Sequence, residues 1–266
     1  MLFEFYAILV FILGLIIGSY LNVYILRLNT GKDTKGRSAC ASCGKQLEPH
    51  ELLPLISFLF LRGRCSKCKT RISWQYPIVE LSNALAYFLI FYFIENKFLA
   101  IVFMPLASVS LLIASYDIRH QMIPQKLINF LFLNALVIFL LSGYLQGSLF
   151  NLQAYLDTAL SELLFAGVIL FLWFITKGRA MGYGDVKLAA ALAFLLKPAS
   201  AWLALTLSFV FGALFSLGFI FLDRVLLKNK FGIKMKSAIA FGPFILLAFW
   251  IVLLAQLSVY DIIYLL

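Results

Sequence analysis

The sequence predicts an all-α polytopic membrane protein of about eight transmembrane helices interrupted by one polar loop, and three observations carry that prediction. Of its 266 residues 63% are hydrophobic, where a soluble domain is nearer half, and the mean hydropathy is +0.98. Only 13% are charged, too little polar surface to clothe a soluble domain of this length. That excludes a soluble globular protein, and equally a disordered or collagen-like chain. The apolar residues fall in long unbroken blocks, not in the roughly ten-residue alternating segments of a membrane barrel, so the spans are helices.

In chain order the apolar blocks cover about 3–26, 77–94, 98–116, 127–145, 158–176, 185–196, 200–222 and 238–265. The first has Glu4, no basic residue before it and no small-x-small cleavage site at its end, so it reads as a retained anchor and not a signal peptide. The sixth is short. From Val186 to Leu196 it holds 11 residues, about 16 Å as a helix, which is not enough to span a bilayer. A broken helix is tolerated at membrane depth only where it lines a cavity. The composition breaks near residues 27 and 77, which divides the chain into a first transmembrane helix (1–27), a polar domain (28–76) and a multi-pass domain (77–266). No internal repeat or low-complexity linker is evident.

The charges orient these spans. Ten of the 22 Lys and Arg lie between Arg27 and Arg71 and five between Arg224 and Lys236. Five more flank short turns: Arg119, Lys126, Lys177, Arg179 and Lys187. Only Lys97 and Lys197 fall in the alternate loops, and a 20 to 2 split across eight spans puts the long loop in the cytoplasm and both termini outside. The net charge of +10 is therefore a topology signal and requires no nucleic acid as partner.

All four cysteines lie in the long loop. Cys40-Ala-Ser-Cys43 and Cys65-Ser-Lys-Cys68 form a C-x2-C-x21-C-x2-C pattern, which supplies four thiolates for a tetrahedral Zn²⁺. Gly44 and Gly63 beside the pairs suit tight turns. The competing reading is two disulfides, which the reducing cytoplasm disfavours. Four Cys ligands leave no open position for water, so the expected role is structural: about 50 residues with few large apolar side chains need such a staple to fold.

Two acidic residues sit at membrane depth. Asp117 ends the apolar run from Leu111 to Tyr116, and Asp185 follows Gly182-Tyr183-Gly184 at the start of the short sixth segment. A carboxylate in or near hydrocarbon is costly and marks a function. An interfacial Asp that merely meets headgroup water is the plainer reading of Asp223, and also of Asp117 taken alone, since Arg119 is placed to pair with it. Asp185 is less easily read that way, because Gly182 and Gly184 give it a backbone able to approach another segment closely. Two aspartates on one membrane face, one beside a broken helix, predict a pair sharing a proton. Of the two histidines, His50 and His120, the second reads as an interfacial side chain and not as a base.

These residues resemble the type IV prepilin peptidase family over nearly the whole chain. Gly18-Ser19-Tyr20-Leu21-Asn22-Val23, with Arg27 after it, is similar to the family's opening block, and the paired C-x2-C loop matches. Leu61-Arg62-Gly63-Arg64-Cys65 and the stretch Ile72 to Leu81 resemble the block around and after the second Cys pair. Asp117 with Ile123-Pro124 resembles the first aspartate block. Gly182-Tyr183-Gly184-Asp185 matches the G-x-G-D motif, and Phe241-Gly242-Pro243-Phe244 looks like the late F-G-P-F signature. The chain departs from the family where Leu28-Asn29-Thr30 follows Arg27, at Ala41-Ser42, across Glu48 to Pro54, and at Gln125, where an acidic residue often stands. None of these touches the two Asp or the four Cys.

The resemblance implies a bifunctional enzyme of a bacterial cytoplasmic membrane. Asp117 and Asp185 are its expected catalytic pair, with Gly182 and Gly184 supporting the active-site loop. The expected substrates are type IV prepilins or pseudopilins, whose basic leader is cut at the cytoplasmic face. The new N-terminus is then methylated from S-adenosylmethionine. No Gly-rich dinucleotide fingerprint identifies residues for that methyl donor. Two other readings stay open at this stage: an intramembrane aspartyl leader peptidase of preflagellin type without methylation, and a proton or cation transporter using the same two aspartates. A transporter often shows matched broken helices in two halves, and only one short segment appears here.

Overall fold

The computed structural model describes residues 2–28, 36–147, 151–179, 181–225 and 239–256, with the side chains of 223–225 outside the description. Ten α-helices carry these residues: α1 (Leu2–Arg27), α2 (Ile56–Phe60), α3 (Gln75–Phe93), α4 (Lys97–His120), α5 (Gln125–Leu145), α6 (Leu152–Glu162), α7 (Val168–Thr176), α8 (Tyr183–Ala193), α9 (Pro198–Val225) and α10 (Gly242–Leu254). A π-turn, Leu163–Gly167, joins α6 to α7 into one continuous span. Among the described residues six helices are long and apolar enough to cross a membrane: α1, α3, α4, α5, α6 with α7, and α9. The chain is an all-α polytopic membrane protein. The two remaining expected segments are shorter. The sixth is α8, with 11 residues, and the eighth is α10, with 13, the stretch from 257 onward lying outside the described residues.

Helix ends follow local chemistry. Glu4 sits in the first turn of α1 and Arg27 in its last, each complementing the helix dipole. Lys97 turns back onto the end of α3. Its Nζ donates to the carbonyls of Phe91 at 2.7 Å and Ile94 at 2.8 Å and lies 4.8 Å from the Phe91 ring. One of the two cations in the sparse loops is thus a C-terminal cap. Ile123-Pro124 separates α4 from α5, with Pro124 at the extended N-cap of α5.

The described residues form two compact units, Met1–Leu112 and Ile113–Leu266. In the first, α1 packs along α3 at very short range. A Cβ built on Gly14 would lie 2.6 Å from the Ala84 Cα, and one on Gly18 would lie 2.7 Å from the Glu80 Cα. Hydrocarbon offers no hydrophobic drive for helices to associate, so small residues and interhelical hydrogen bonds do the work. Asn83 Nδ2 donates to Gly14 O at 2.8 Å and Asn22 Nδ2 to Tyr76 O at 3.1 Å. Within the second unit α10 packs on α9 and on α8, and α5 packs on α8.

The polar loop of the first unit is braced by one buried ion pair. Lys45 Nζ donates to Glu51 Oε1 at 2.9 Å and to Ser66 Oγ at 2.9 Å, joining residues on either side of α2. The Glu51 side chain is 2% exposed. Hydrogen bonding from Ser66, the Glu48 N–H and Lys45 holds its carboxyl at about 2, down from 4.5.

Two predictions follow from these packings. Gly14→Val and Gly18→Val each force α1 off α3 and are expected to destabilise by about 1–3 kcal/mol, read as a fall in thermal midpoint in detergent; an unchanged midpoint refutes the close approach. For the loop, a carboxyl depressed on folding contributes stability that is complete above its unfolded value of 4.5 and is lost as pH falls toward about 2. Carboxyl NMR is expected to show Glu51 titrating near 2, and Lys45→Met to bring it toward the ordinary range.

Candidate functional site

Two groups of chemistry-bearing residues emerge, one in each unit. The four cysteines come together. Their Sγ atoms all lie within 4.8 Å of one another, with Cys40 to Cys68 at 3.8 Å and Cys43 to Cys65 at 4.0 Å. None is in a disulfide. A tetrahedral ion with metal–sulfur bonds near 2.3 Å needs sulfurs about 3.8 Å apart, so the spacing fits a metal ion. The two knuckles are built alike. Cys40 N–H donates to Lys45 O and Gly44 N–H to Cys40 O; Cys65 N–H donates to Thr70 O and Lys69 N–H to Cys65 O. The left-handed residue is Gly44 in the first knuckle and Lys69 in the second. Gly63, expected to serve the second knuckle, has φ +64 but lies before it.

The sulfurs also fit a cation electrostatically. Backbone N–H groups of Cys43 and Ser42 lower the Cys40 thiol, and the Thr70 hydroxyl and N–H bring Cys68 down to about 6. At Cys43 the Lys45 N–H favours the thiolate, but desolvation and the neighbouring sulfurs outweigh it and push the thiol up to about 11. Ionising all four sulfurs together would require a positive ion to balance them.

In the second unit the structure brings both membrane-depth aspartates to one place. Asp117 lies in the last turn of α4 and Asp185 in the first turn of α8, with 4% and 8% of their surfaces exposed. Asp117 Oδ2 accepts from the Gly242 N–H at 3.1 Å, at the first residue of α10. Asp185 Oδ2 accepts from the Gly182 N–H at 3.2 Å, while its own N–H donates to Gly182 O at 3.1 Å, a reciprocal cap on α8. The two carboxyls are near enough for their charges to interact.

Ile123 is wedged between the two loops that carry these contacts. A Cβ on Gly184 would lie 3.4 Å from the Ile123 Cβ, and one on Gly242 would lie 3.4 Å from the Ile123 Cδ1 and 2.8 Å from Asp117 Oδ2. Gly182 has φ −76, a value open to any residue, and a Cβ there would stand 3.6 Å from Asp185 Oδ2, so neither backbone handedness nor a steric clash accounts for that glycine. Thus Ile123-Pro124, Gly182-Tyr183-Gly184-Asp185 and Phe241-Gly242, widely separated in sequence, meet at one end of the second unit. Beside them Lys187 Nζ donates to Gln125 Oε1 at 2.6 Å and lies 4.8 Å from the Tyr183 ring. Gln125, standing where an acid is common, still supplies Lys187 with an acceptor. His120 is exposed and packs its ring on Tyr116 at a 34° tilt, with ring centroids 4.3 Å apart. The Asp223 side chain lies outside the described residues.

Three polar residues were not singled out by the sequence reading. Glu80 in α3 is buried, and its Oε2 accepts from the Leu55 N–H at 2.8 Å. Glu162, at the end of α6, has an enclosed Oε1 with no partner among the described residues, and Asn134 Oδ1 is likewise enclosed. An acid within an apolar block was the available signal for Glu80 and Glu162.

Known proteins resemble the chain along most of its length. Residues 12–94 match the Bacterial Peptidase A24 N-terminal domain, and residues 104–217 match the Type IV leader peptidase family. Among similar curated proteins, each named prepilin leader peptidase/N-methyltransferase, one from Pseudomonas putida is 32% identical, covering 91% of this chain and 88% of its own. One from Aeromonas salmonicida (strain A449) is 31% identical, covering 94% and 90%, and one from Bacillus subtilis (strain 168) is 32% identical, covering 88% and 90%. No solved structure matches the chain. With both domains matched in order and identity above 30% sustained along almost all of its length, the chain belongs to the type IV leader peptidase family.

Proposed function

We propose that this protein is an intramembrane aspartyl endopeptidase of the bacterial inner membrane, which removes the basic leader of type IV prepilins or pseudopilins and N-methylates the residue so exposed. The observation that carries the peptidase reading is the meeting of two buried aspartates, each with one carboxylate oxygen bonded to a backbone N–H. That leaves oxygens on both for substrate and water. In the proposed cycle one Asp, ionised, takes a proton from water as it attacks the scissile carbonyl. The other, protonated, donates to the carbonyl oxygen. The roles then exchange as a proton passes to the leaving amide nitrogen. No side-chain nucleophile is required. A transporter reading accounts less well for the chain, because the relatives' names describe a peptidase and methyltransferase.

The 20 to 2 distribution of Lys and Arg supports a cytoplasmic polar loop and a cytoplasmic active site, with both termini outside. For the loop we infer Zn²⁺ held by Cys40, Cys43, Cys65 and Cys68 as a closed tetrathiolate, which braces residues 28–76 without taking part in hydrolysis. S-adenosylmethionine would supply the methyl group. The methylation reading rests on the relatives' names and on the family resemblance, with no residues assigned to it.

The decisive experiment incubates the membrane-embedded protein with a prepilin, with and without S-adenosylmethionine, and weighs the product. Cleavage without a methyl-dependent mass gain would retain the peptidase and remove the transferase. Asp117→Asn and Asp185→Asn are each expected to abolish cleavage while insertion is intact, and the double variant to be no worse, since residues acting as a unit are not additive. Gly242→Ala, which pushes a methyl group against Asp117 Oδ2, is expected to slow cleavage strongly. Substantial turnover by either Asn variant would remove the aspartyl mechanism. Metal analysis is expected to give one Zn²⁺ per chain, lost in Cys40→Ser together with order in the loop. A reduced, metal-free protein with the loop still ordered would sink the tetrathiolate assignment.

A further inference from the structure

The polar loop carries a helix with its apolar side facing outward. In α2, Ile56, Leu59 and Phe60 occupy positions i, i+3 and i+4, one face of a helix, and are 50%, 72% and 84% exposed. Leu52 and Leu53 just before it are also exposed, as is Trp74 at 70%. An apolar face of this kind outside the membrane spans marks an interaction surface.

Two contacts fix where that face stands. The Leu55 N–H, at the N-cap of α2, is bonded to Glu80 Oε2 at 2.8 Å, and Phe58 packs on Trp74 with ring centroids 5.1 Å apart. Trp74 immediately precedes the membrane-spanning helix α3, and Glu80 lies five residues into it, about 7–8 Å along the axis. α3 has only 19 residues, a rise of about 28 Å, no more than the hydrocarbon thickness of a bilayer. Its first turns therefore cannot stand clear in water, and α2 is pinned level with them.

Charge identifies the occupant. Arg62, Arg64 and Arg71 line the same hollow as Phe58, Leu59 and Trp74, and all three arginines are exposed. Apolar and aromatic side chains rimmed by arginines complement acyl chains beneath anionic headgroups. They would repel a basic peptide segment.

We propose that Leu52–Leu61 is an interfacial anchor: α2 lies in the anionic leaflet beside α3, with Ile56, Leu59 and Phe60 among the acyl chains and Arg62, Arg64 and Arg71 on lipid phosphates. The metal-binding loop is thereby held flat on the membrane at a third point besides α1 and α3. This holds whether or not the two aspartates are a catalytic pair.

The test uses the full chain in single-copy lipid nanodiscs, with a dansyl-bearing amino acid introduced at Leu59, at Phe60 or, as an exposed control, at Lys67. Brominated acyl chains are expected to quench the probe at 59 and 60 about twofold or more, as burial to the headgroup–acyl boundary requires, and aqueous iodide to quench only at 67. The lipid quenching is expected to be stronger in phosphatidylglycerol than in phosphatidylcholine, and Arg62→Gln, Arg64→Gln and Arg71→Gln together to remove that difference. Iodide quenching at 59 and 60 would place α2 in water and overturn the proposal. Protection from both quenchers would mean that protein covers the face, which overturns it equally. Quenching that ignores both headgroup charge and the three arginines would overturn their role.

Discussion

A carboxyl group inside an apolar helical protein must find a donor, and helix interiors have none to spare. Backbone N–H groups are free only at helix starts. Among the described residues, the buried acids that have a partner obey this constraint. Asp117 meets the first N–H of α10, Asp185 meets the N-cap N–H of α8, and Glu80 meets the N-cap N–H of α2. In the polar loop Glu51 does the same with the Glu48 N–H, which caps a single 3-10 turn. Glu162 is the contrast. It lies in the middle of a span where the ladder is only locally loosened by a π-turn, and its enclosed oxygen has no partner among the described residues.

The constraint explains the irregular helices. A chain of six uninterrupted spans would present no helix start at the depth of Asp117 or Asp185. α8 and α10, with 11 and 13 residues, each bring a helix start to one of the two aspartates. That is the physical content of a broken helix beside a cavity. The turn between α4 and α5 completes the arrangement by inserting Ile123 between the two loops, an apolar spacer that fixes both glycines at contact distance.

Much of this was legible in the sequence, for reasons that also explain what was not. Spans announce themselves by composition, so six of the expected blocks are full-length helices, and the sixth block reads as short because its apolar run is short. The cysteine cluster is legible because metal ligands come in local pairs, each closed by its own turn. The partner of Asp117 is not: Gly242 is 125 residues away, and a sequence shows that a glycine is present without showing whose oxygen it faces. Glu80 was hidden within a long family-like stretch, and its partner Leu55 is a leucine with φ 58, a conformation that the residue type gives no reason to expect. Arg119 beside Asp117 suggested an ion pair; the bond seen on the carboxylate comes from the backbone N–H of Gly242, on another helix.

The glycines of the two late motifs both stand at helix starts that receive a carboxylate, but only one of them has to lack a Cβ. A carboxylate oxygen that bonds a backbone N–H comes within about 3 Å of that nitrogen, and its direction of approach decides whether a Cβ there would be crowded. At Gly242 that Cβ would meet the Asp117 oxygen at 2.8 Å, and at Gly182 it would meet the Asp185 oxygen at 3.6 Å. At the first distance the carboxylate must move to admit a Cβ; the second is ordinary van der Waals contact and admits one. F-G-P-F and G-x-G-D thus share a helix start that receives an acidic side chain, once from a distant helix and once from its own first turn, and only at Gly242 does the contact demand the missing Cβ. Pro243 follows in the first, where a proline at the start of a helix gives up an N–H that has no partner in the helix. In the second, Asp185 supplies both the cap and the carboxyl. The difference makes Asp185 a fixture of its own helix, while the place of Asp117 depends on α4 and α10 keeping their approach.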